Sequence, residues 1–228
     1  MNTEIQKCSE DILYFKEKYL GLPKDEIQDE ILTLLKKSKR LNIATGRQSK
    51  KTSSALIYIL HNFLFEEDFS AGVLSNSMLS SASILILLKS LILQLPDEIK
   101  PRIKITKTLI TNLDNKSTVT IDTIDEKTFI GINLDFILLD NSSYIQKPKL
   151  NLFFDYIIKT FSSAQILIND DINIESLCNN FIVWDGSFNK EKPETPEKPK
   201  KVQRPIKNAG FKQLIKNIIE KLYSIIKR

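Results

Sequence analysis

Two hydrophobic periodicities take turns along the chain. Residues 9–19 ("SEDILYFKEKY") and 24–39 ("KDEIQDEILTLLKKSK") repeat apolar positions at helical spacing, with Ile27, Ile31 and Leu34 on one face of the second. Asp and Glu come early in that segment and Lys late, which suits the helix dipole. The short run "LNIATG" (41–46) predicts a strand, 52–65 a helix, "AGVLS" (71–75) a second strand, and 78–95 a long helix ending before Pro96. Residues 103–124 read as strands with turns: Asp114 and Asn115 supply turn chemistry, and the positions toward Ile121 alternate. "DFILLD" (135–140) is a continuous apolar run closed by a carboxylate, as a parallel strand covered on both faces would be. Helix 149–162 and the strands "AQILIND" (164–170) and "NFIVWD" (180–185) follow. Strands alternating with helices predict a doubly wound α/β fold with a mostly parallel sheet.

The pattern stops at Gly186. "NKEKPETPEKPKKVQRP" sets Pro193, Pro196, Pro199 and Pro205 among charges, so 187–208 is expected to be a disordered linker. From 209 to 228 apolar residues return at three- and four-residue steps (Phe211, Leu214, Ile215, Ile218, Leu222, Ile225), with lysines between them. That predicts a basic amphipathic helix on a tether. The expected organisation is a folded domain over 1–186, the linker, and the tail helix.

Charge sharpens this division. Residues 189–228 carry 12 Lys and Arg against 4 Asp and Glu, whereas residues 1–188 carry 21 against 24. The basic pI of about 9.0 therefore belongs to the tail, and the body carries no general argument for DNA binding. Met1–Glu10 lacks the basic-then-apolar pattern of a secretory leader. Met78–Leu95 contains Lys89, Gln94 and several serines and falls short of the ~20 apolar residues of a spanning helix. It is expected to be a heavily buried helix of a soluble core. Cys8 and Cys178 have no metal-site spacing, and the lone His61 reads as a helix-face residue rather than a ligand.

One stretch carries candidate chemistry. "GRQSKKTSS" (46–54) lies between a predicted strand and a predicted helix. A phosphate-binding loop has this layout: helix N-terminal amides face the anion, a lysine reaches the outer phosphates, and a Ser/Thr hydroxyl holds Mg²⁺. Lys51 and Thr52 suit the last two roles, and Asp140 at the end of "FILLD" suits the carboxylate that completes the metal shell. In the pattern G-x-x-x-x-G-K-[ST], however, Thr45 and Lys50 stand at the glycine positions. A left-handed lysine at the second would cost roughly 1–2 kcal/mol.

The ordered series "LNIATGRQSKKTSSALIYIL", "AGVLSNSMLSSASILILLKSLILQLPDEIKPRI", "ITNLDNKSTVTI" and "FILLDNSSYI" resembles the ATPase domain of the large terminase subunit of tailed bacteriophages, the DNA-packaging motor. The opening "CSEDILYFKEKYLGL" (8–22) and the connection "QLPDEIKP" (94–101) add to the likeness, which covers roughly residues 8–170. The resemblance implies a P-loop NTPase fold and ATP with Mg²⁺ as the cofactors. Its nucleotide contacts fall on Gln28, Arg47, Gln48, Ser49, Lys50, Lys51, Thr52 and Asp140, and its metal contacts on Thr52 and Asp140. It implies packaging or capsid proteins as partners. The basic tail helix by itself suits a partner's groove, DNA phosphates or an anionic membrane surface, and a packaging setting favours the first two over the membrane. The setting would be the host cytoplasm, or the virion.

The departures from the family bear on activity. The resemblance implies a catalytic Glu after the strand-end carboxylate; Asn141 stands there and cannot accept a proton as a carboxylate does. The Thr-rich coupling segment of the family falls near "LINDD" (167–171), where there is no Thr. The resemblance also implies a nuclease domain after the ATPase domain, and the linker and tail helix expected after residue 185 are not expected to supply one. The expected function is a terminase-like domain impaired in catalysis, serving as a binding or structural accessory in packaging or virion assembly. The alternatives are a working divergent ATPase module with the nuclease on another chain, and a membrane- or nucleic-acid-binding adaptor that uses the domain as a scaffold.

Overall fold

The computed structural model describes residues 3–45, 49–125, 129, 131–170 and 182–184. The chain opens with helices α1 (Thr3–Glu10), α2 (Ile12–Lys18) and α3 (Glu26–Lys37). Strand β1 (Arg40–Ala44) leads into α4 (Lys51–Phe65), and β2 (Ser70–Ser75) into α5 (Met78–Gln94). Strands β3 (Ile103–Ile105), β4 (Leu109–Asn112), β5 (Thr118–Thr123) and β6 (Phe136–Leu139) follow. The rest comprises α6 (Lys147–Leu152), a π-helical stretch (Phe153–Ile157), α7 (Ile158–Thr160), β7 (Gln165–Asp170) and β8 (Ile182–Trp184).

The strands form one eight-stranded sheet in the order β3-β4-β5-β2-β6-β7-β1-β8. From β5 to β8 every pairing is parallel, and the hairpin strands β3 and β4 extend the sheet antiparallel at one edge. This is the mostly parallel α/β sheet that the strand–helix alternation predicts. Successive residues of each inner strand serve opposite faces. Phe136 and Leu138 of β6 join a core with Phe15, Ile31, Leu60 and Phe63. Ile137 and Leu139 join a second core with Phe153, Ile157 and Phe161. Burial on both faces is why "FILL" is an unbroken apolar run.

Side-chain caps set the helix boundaries. The Asp11 carboxylate accepts from the Leu13 and Tyr14 amides, starting α2 there and dividing the single helix expected over 9–19 into two. Asp25 accepts from the Gln28 amide and starts α3. Lys16 of α2 is fully buried and forms an ion pair with Asp29 of α3, which ties the two helices. The expectation for α5 needs correction. It buries Ser81, Ile84, Leu88, Ser90 and Ile92, but Leu79, Ile86 and Leu93 are 79%, 51% and 56% exposed. Continuous hydrophobicity conceals which side of such a helix faces the sheet, because both sides carry apolar residues. No helix among the described residues is long and apolar enough to cross a membrane. Cys178, the linker over 187–208 and the helix expected over 209–228 lie outside the described residues.

Candidate phosphate-binding site

The loop from β1 to α4 lies where the carboxyl ends of parallel strands meet, the usual position of a ligand crevice in an open α/β sheet. Lys50 is the residue before α4 and adopts the left-handed conformation, φ 61° and ψ 13°. This is the geometry for which a phosphate loop uses glycine. The Lys50 carbonyl accepts from the Ser54 amide at 2.9 Å, the Ser53 hydroxyl at 2.7 Å and the Ser54 hydroxyl at 2.9 Å. Those three bonds fix the backbone of the turn and offset the cost of its torsion. The first turn of α4 begins directly after that turn, and a helix start favours an anion.

The Lys50 ammonium pairs with the Asp25 carboxylate, so the loop is tied to the start of α3. Burial alone would raise the pKa of Asp25. The hydrogen bond from Lys50 and that from the Gln28 amide outweigh it and hold the carboxyl below its ordinary value. Gln28 adds a second tie, its Nε2 donating to the Ser53 hydroxyl at 3.2 Å. Ser53 passes that contact on to the Lys50 carbonyl. The start of α3 therefore lies directly beside the start of α4.

Lys51 turns the other way. It is only 6% exposed, and its Nζ donates to the Thr45 carbonyl at 2.7 Å. The Thr45 hydroxyl donates to the Ser49 hydroxyl at 2.5 Å, closing the loop on itself. Arg47 and Gln48 lie outside the described residues. Of the two adjacent lysines, Lys51 is buried and Lys50 is partly exposed.

Asp140 gathers the remaining polar groups. It is 2% exposed, and its amide continues the sheet by donating to the Leu74 carbonyl at 2.9 Å. The Thr52 hydroxyl donates to Asp140 Oδ1 at 2.8 Å. Asn169 Nδ2 donates to the same oxygen at 3.0 Å, and Asn141 Nδ2 to Oδ2 at 3.0 Å. At least three of the roughly four acceptor positions of a carboxylate are thus filled. Asn141 is left-handed, φ 55° and ψ 51°, a conformation Asn adopts more readily than most residues. Thr52 and Asp140, paired from sequence pattern alone, are in direct contact.

Asn169 was not among the residues singled out from sequence. Its signal is a polar amide inside "ILIND", a strand otherwise built of Ile and Leu. Its Oδ1 has no hydrogen-bond partner, nor does either side-chain polar atom of Asn42 on β1. Both residues are completely buried. The β1–β7 register pairs Asn42 with Ile168 and Ile43 with Asn169, so the two amides point to opposite faces of the sheet.

Mg²⁺ takes hard oxygen ligands and keeps several waters. The Thr52 hydroxyl, the Asp140 carboxylate and the unpartnered Asn169 Oδ1 are oxygens of that kind, so the donor set fits the ion. Among the described residues no group of three or more His, Cys, Asp or Glu gathers into a metal cluster. A cation here would need phosphate oxygens and water to complete its shell.

No family model matches the chain. Its fold is similar to that of large terminase ATPase domains. Against the ATPase domain of the Thermus phage P74-26 large terminase the TM-score is 0.57 at 17% identity, covering 69% of this chain and 68% of that one. Against the HK97 bacteriophage large terminase it is 0.55 at 17% identity, covering 71% of this chain and 37% of that one. A third large terminase, from a thermophilic bacteriophage and in complex with ATP-γ-S, matches at 0.50 and 13% identity, covering 65% and 38%. The chain thus spans little more than a third of the HK97 protein. At these identities the likeness establishes a terminase-like ATPase fold.

Proposed function

We propose that this chain is a nucleotide-site domain of the large-terminase kind that does not turn over ATP and that serves phage DNA packaging or particle assembly as a binding or structural accessory. One observation carries the reading: the residue next to Asp140 is an amide whose NH₂ is committed to the Asp140 carboxylate. Hydrolysis gains from a group that orients the attacking water and can take its proton. Asn141 offers no proton-accepting carboxylate, and one of its two N–H donors is already used on Asp140.

Binding makes fewer demands. The phosphates of ATP would lie against the first turn of α4, where amide dipoles favour an anion. Lys51 would leave the Thr45 carbonyl or polarise the loop from beneath it. The Thr52 hydroxyl and Asp140 would hold Mg²⁺, which supplies charge to neutralise the phosphate oxygens. Gln28 and Asp25, at the start of α3, would form the adjoining wall. The working-ATPase alternative draws on the Thr52–Asp140 contact, which keeps the metal-binding pair assembled.

The deciding experiment measures phosphate release from Mg-ATP with and without double-stranded DNA, beside calorimetric binding of the same nucleotide. The expected result is binding without turnover. Turnover that is abolished by Lys51→Ala overturns the proposal in favour of a working ATPase.

A further inference from the structure

We infer that Lys50 is an exchangeable phosphate ligand held in reserve by Asp25, and that a nucleotide polyphosphate enters the site by displacing the Asp25 carboxylate from the Lys50 ammonium. This rests on the nucleotide-site reading above and specifies how that site is regulated.

The two lysines of the loop are in unlike positions. The Lys51 ammonium is buried on the Thr45 carbonyl. The Lys50 side chain is 42% exposed and its partner Asp25 26% exposed. Among the described residues of the loop, the cation on the solvent side is therefore Lys50. The structure already shows it holding an oxyanion, because a carboxylate of the same chain occupies it beside the start of α4. Asp25 is in this respect an internal stand-in for a phosphate oxygen.

Exchange requires that Asp25 can let go without unravelling α3. The two carboxylate oxygens divide the work. Oδ1 accepts from the Gln28 amide and caps the helix, while Oδ2 takes the Lys50 ammonium. Releasing Lys50 leaves the cap intact. The Lys50 backbone need not move either, since its carbonyl is fixed independently by Ser53 and Ser54. Only the lysine side chain has to swing.

The balance favours the newcomer. A partly exposed pair of single charges is weak, and a polyphosphate brings several charges to the same ammonium with the α4 dipole behind it. Asp25 then lowers affinity by competition, and the competition should be steepest at low salt, where charge matters most. A triphosphate should displace Asp25 more readily than a diphosphate, by virtue of its greater charge.

The test is calorimetric titration of the full chain with Mg-ATP, in the wild type and in Asp25→Asn, Lys50→Gln and the double variant. Asn caps helices as well as Asp does, so Asp25→Asn removes the charge and keeps α3. Asp25→Ser serves as a second capping replacement if the first unfolds. The expected result is binding tightened by roughly three- to fivefold in Asp25→Asn, the scale of an exposed ion pair. The gain should shrink in high salt and vanish in the Lys50→Gln background. Wild-type binding that Asp25→Asn leaves unchanged or weakens overturns the exchange and leaves the nucleotide site standing. ATP binding by none of the folded proteins overturns both.

Discussion

Asn169 on β7 donates its amide at 3.0 Å to the Asp140 oxygen that the Thr52 hydroxyl also uses. Asp140 is buried, and a buried carboxylate is stable only when donors replace the water it has lost. Asn169 is one such donor. Asn42, equally buried one strand away, has no partner for either of its polar atoms. The two asparagines should therefore respond oppositely to the same substitution. Asn169→Leu removes a bond to a charged group and should destabilise by about 1.5–3 kcal/mol. Asn42→Leu, nearly equal in volume, removes an amide that is buried to no benefit and should be neutral or stabilising by up to ~1 kcal/mol. Urea denaturation of both variants checks this. Equal losses would mean that Asn42 has a hydrogen-bond partner after all.

The contrast also marks where sequence reading reached its limit. The α/β alternation and the strands β1, β2, β6 and β7 are legible because those strands are short apolar runs set between longer helical segments. Thr52 and Asp140 are singled out together because a phosphate loop puts a helix-start hydroxyl and a strand-end carboxylate on one metal ion. What the pattern hides is pairing between residues with no shared motif. Nothing at Asp25 or Lys50 signals that they meet, since each has a sufficient local role, as a helix cap and as a loop charge. The division of α1 from α2 was hidden for a similar reason: Asp11 caps a helix by side-chain geometry inside a stretch whose apolar spacing runs on. The exposed side of α5 was hidden because the helix is apolar nearly all the way round.

Lys50 carries two opposing contributions to stability, and substitutions can separate them. Its left-handed torsion costs about 1–2 kcal/mol relative to glycine. Its ion pair with Asp25, both partners partly exposed, contributes about 0–1 kcal/mol. Lys50→Gly relieves the first and loses the second, and should stabilise by up to ~1 kcal/mol, or about 2–4 °C in melting temperature for a domain of this size. Lys50→Ala keeps the torsional cost and loses the pair, and should melt below the wild type. Thermal unfolding followed by circular dichroism reads both. A glycine variant that melts lower than the alanine variant would show that the turn is not strained.

Asn141→Glu tests whether one substitution could restore a catalytic carboxylate. The position is left-handed, which suits Asn and penalises Glu. Substitution also replaces a donor to Asp140 with a second negative charge beside it. Asn141→Glu should destabilise by about 1–3 kcal/mol and should not produce phosphate release from Mg-ATP. Stability from urea melts and release from a coupled phosphate assay are both needed. Wild-type stability together with turnover would mean that the site is one residue from competence.

His61 gives the fold a dependence on mild acid. It sits on α4 between Phe15 and Phe65, with ring centroids at 5.4 and 5.1 Å, and its Nε2 lies 2.9 Å from the Cys8 carbonyl, where the neutral ring can donate. Burial lowers its pKa below the ordinary 6.5, and the hydrogen bonds to the Cys8 carbonyl and to Asn62 only partly oppose that. In the unfolded chain the imidazole takes its proton near 6.5; in the fold it does so only at lower pH. Between those two values the unfolded state binds more protons, so stability falls as pH falls, by at most about 1.4 kcal/mol per pH unit. Below the folded value the loss levels off. Urea midpoints should therefore drop between pH 7.5 and 5.5 in the wild type, and drop less in His61→Gln. Glu66, whose pKa burial raises, is common to both proteins and cancels from the comparison. An identical pH slope in the two would show that His61 is not the group responsible.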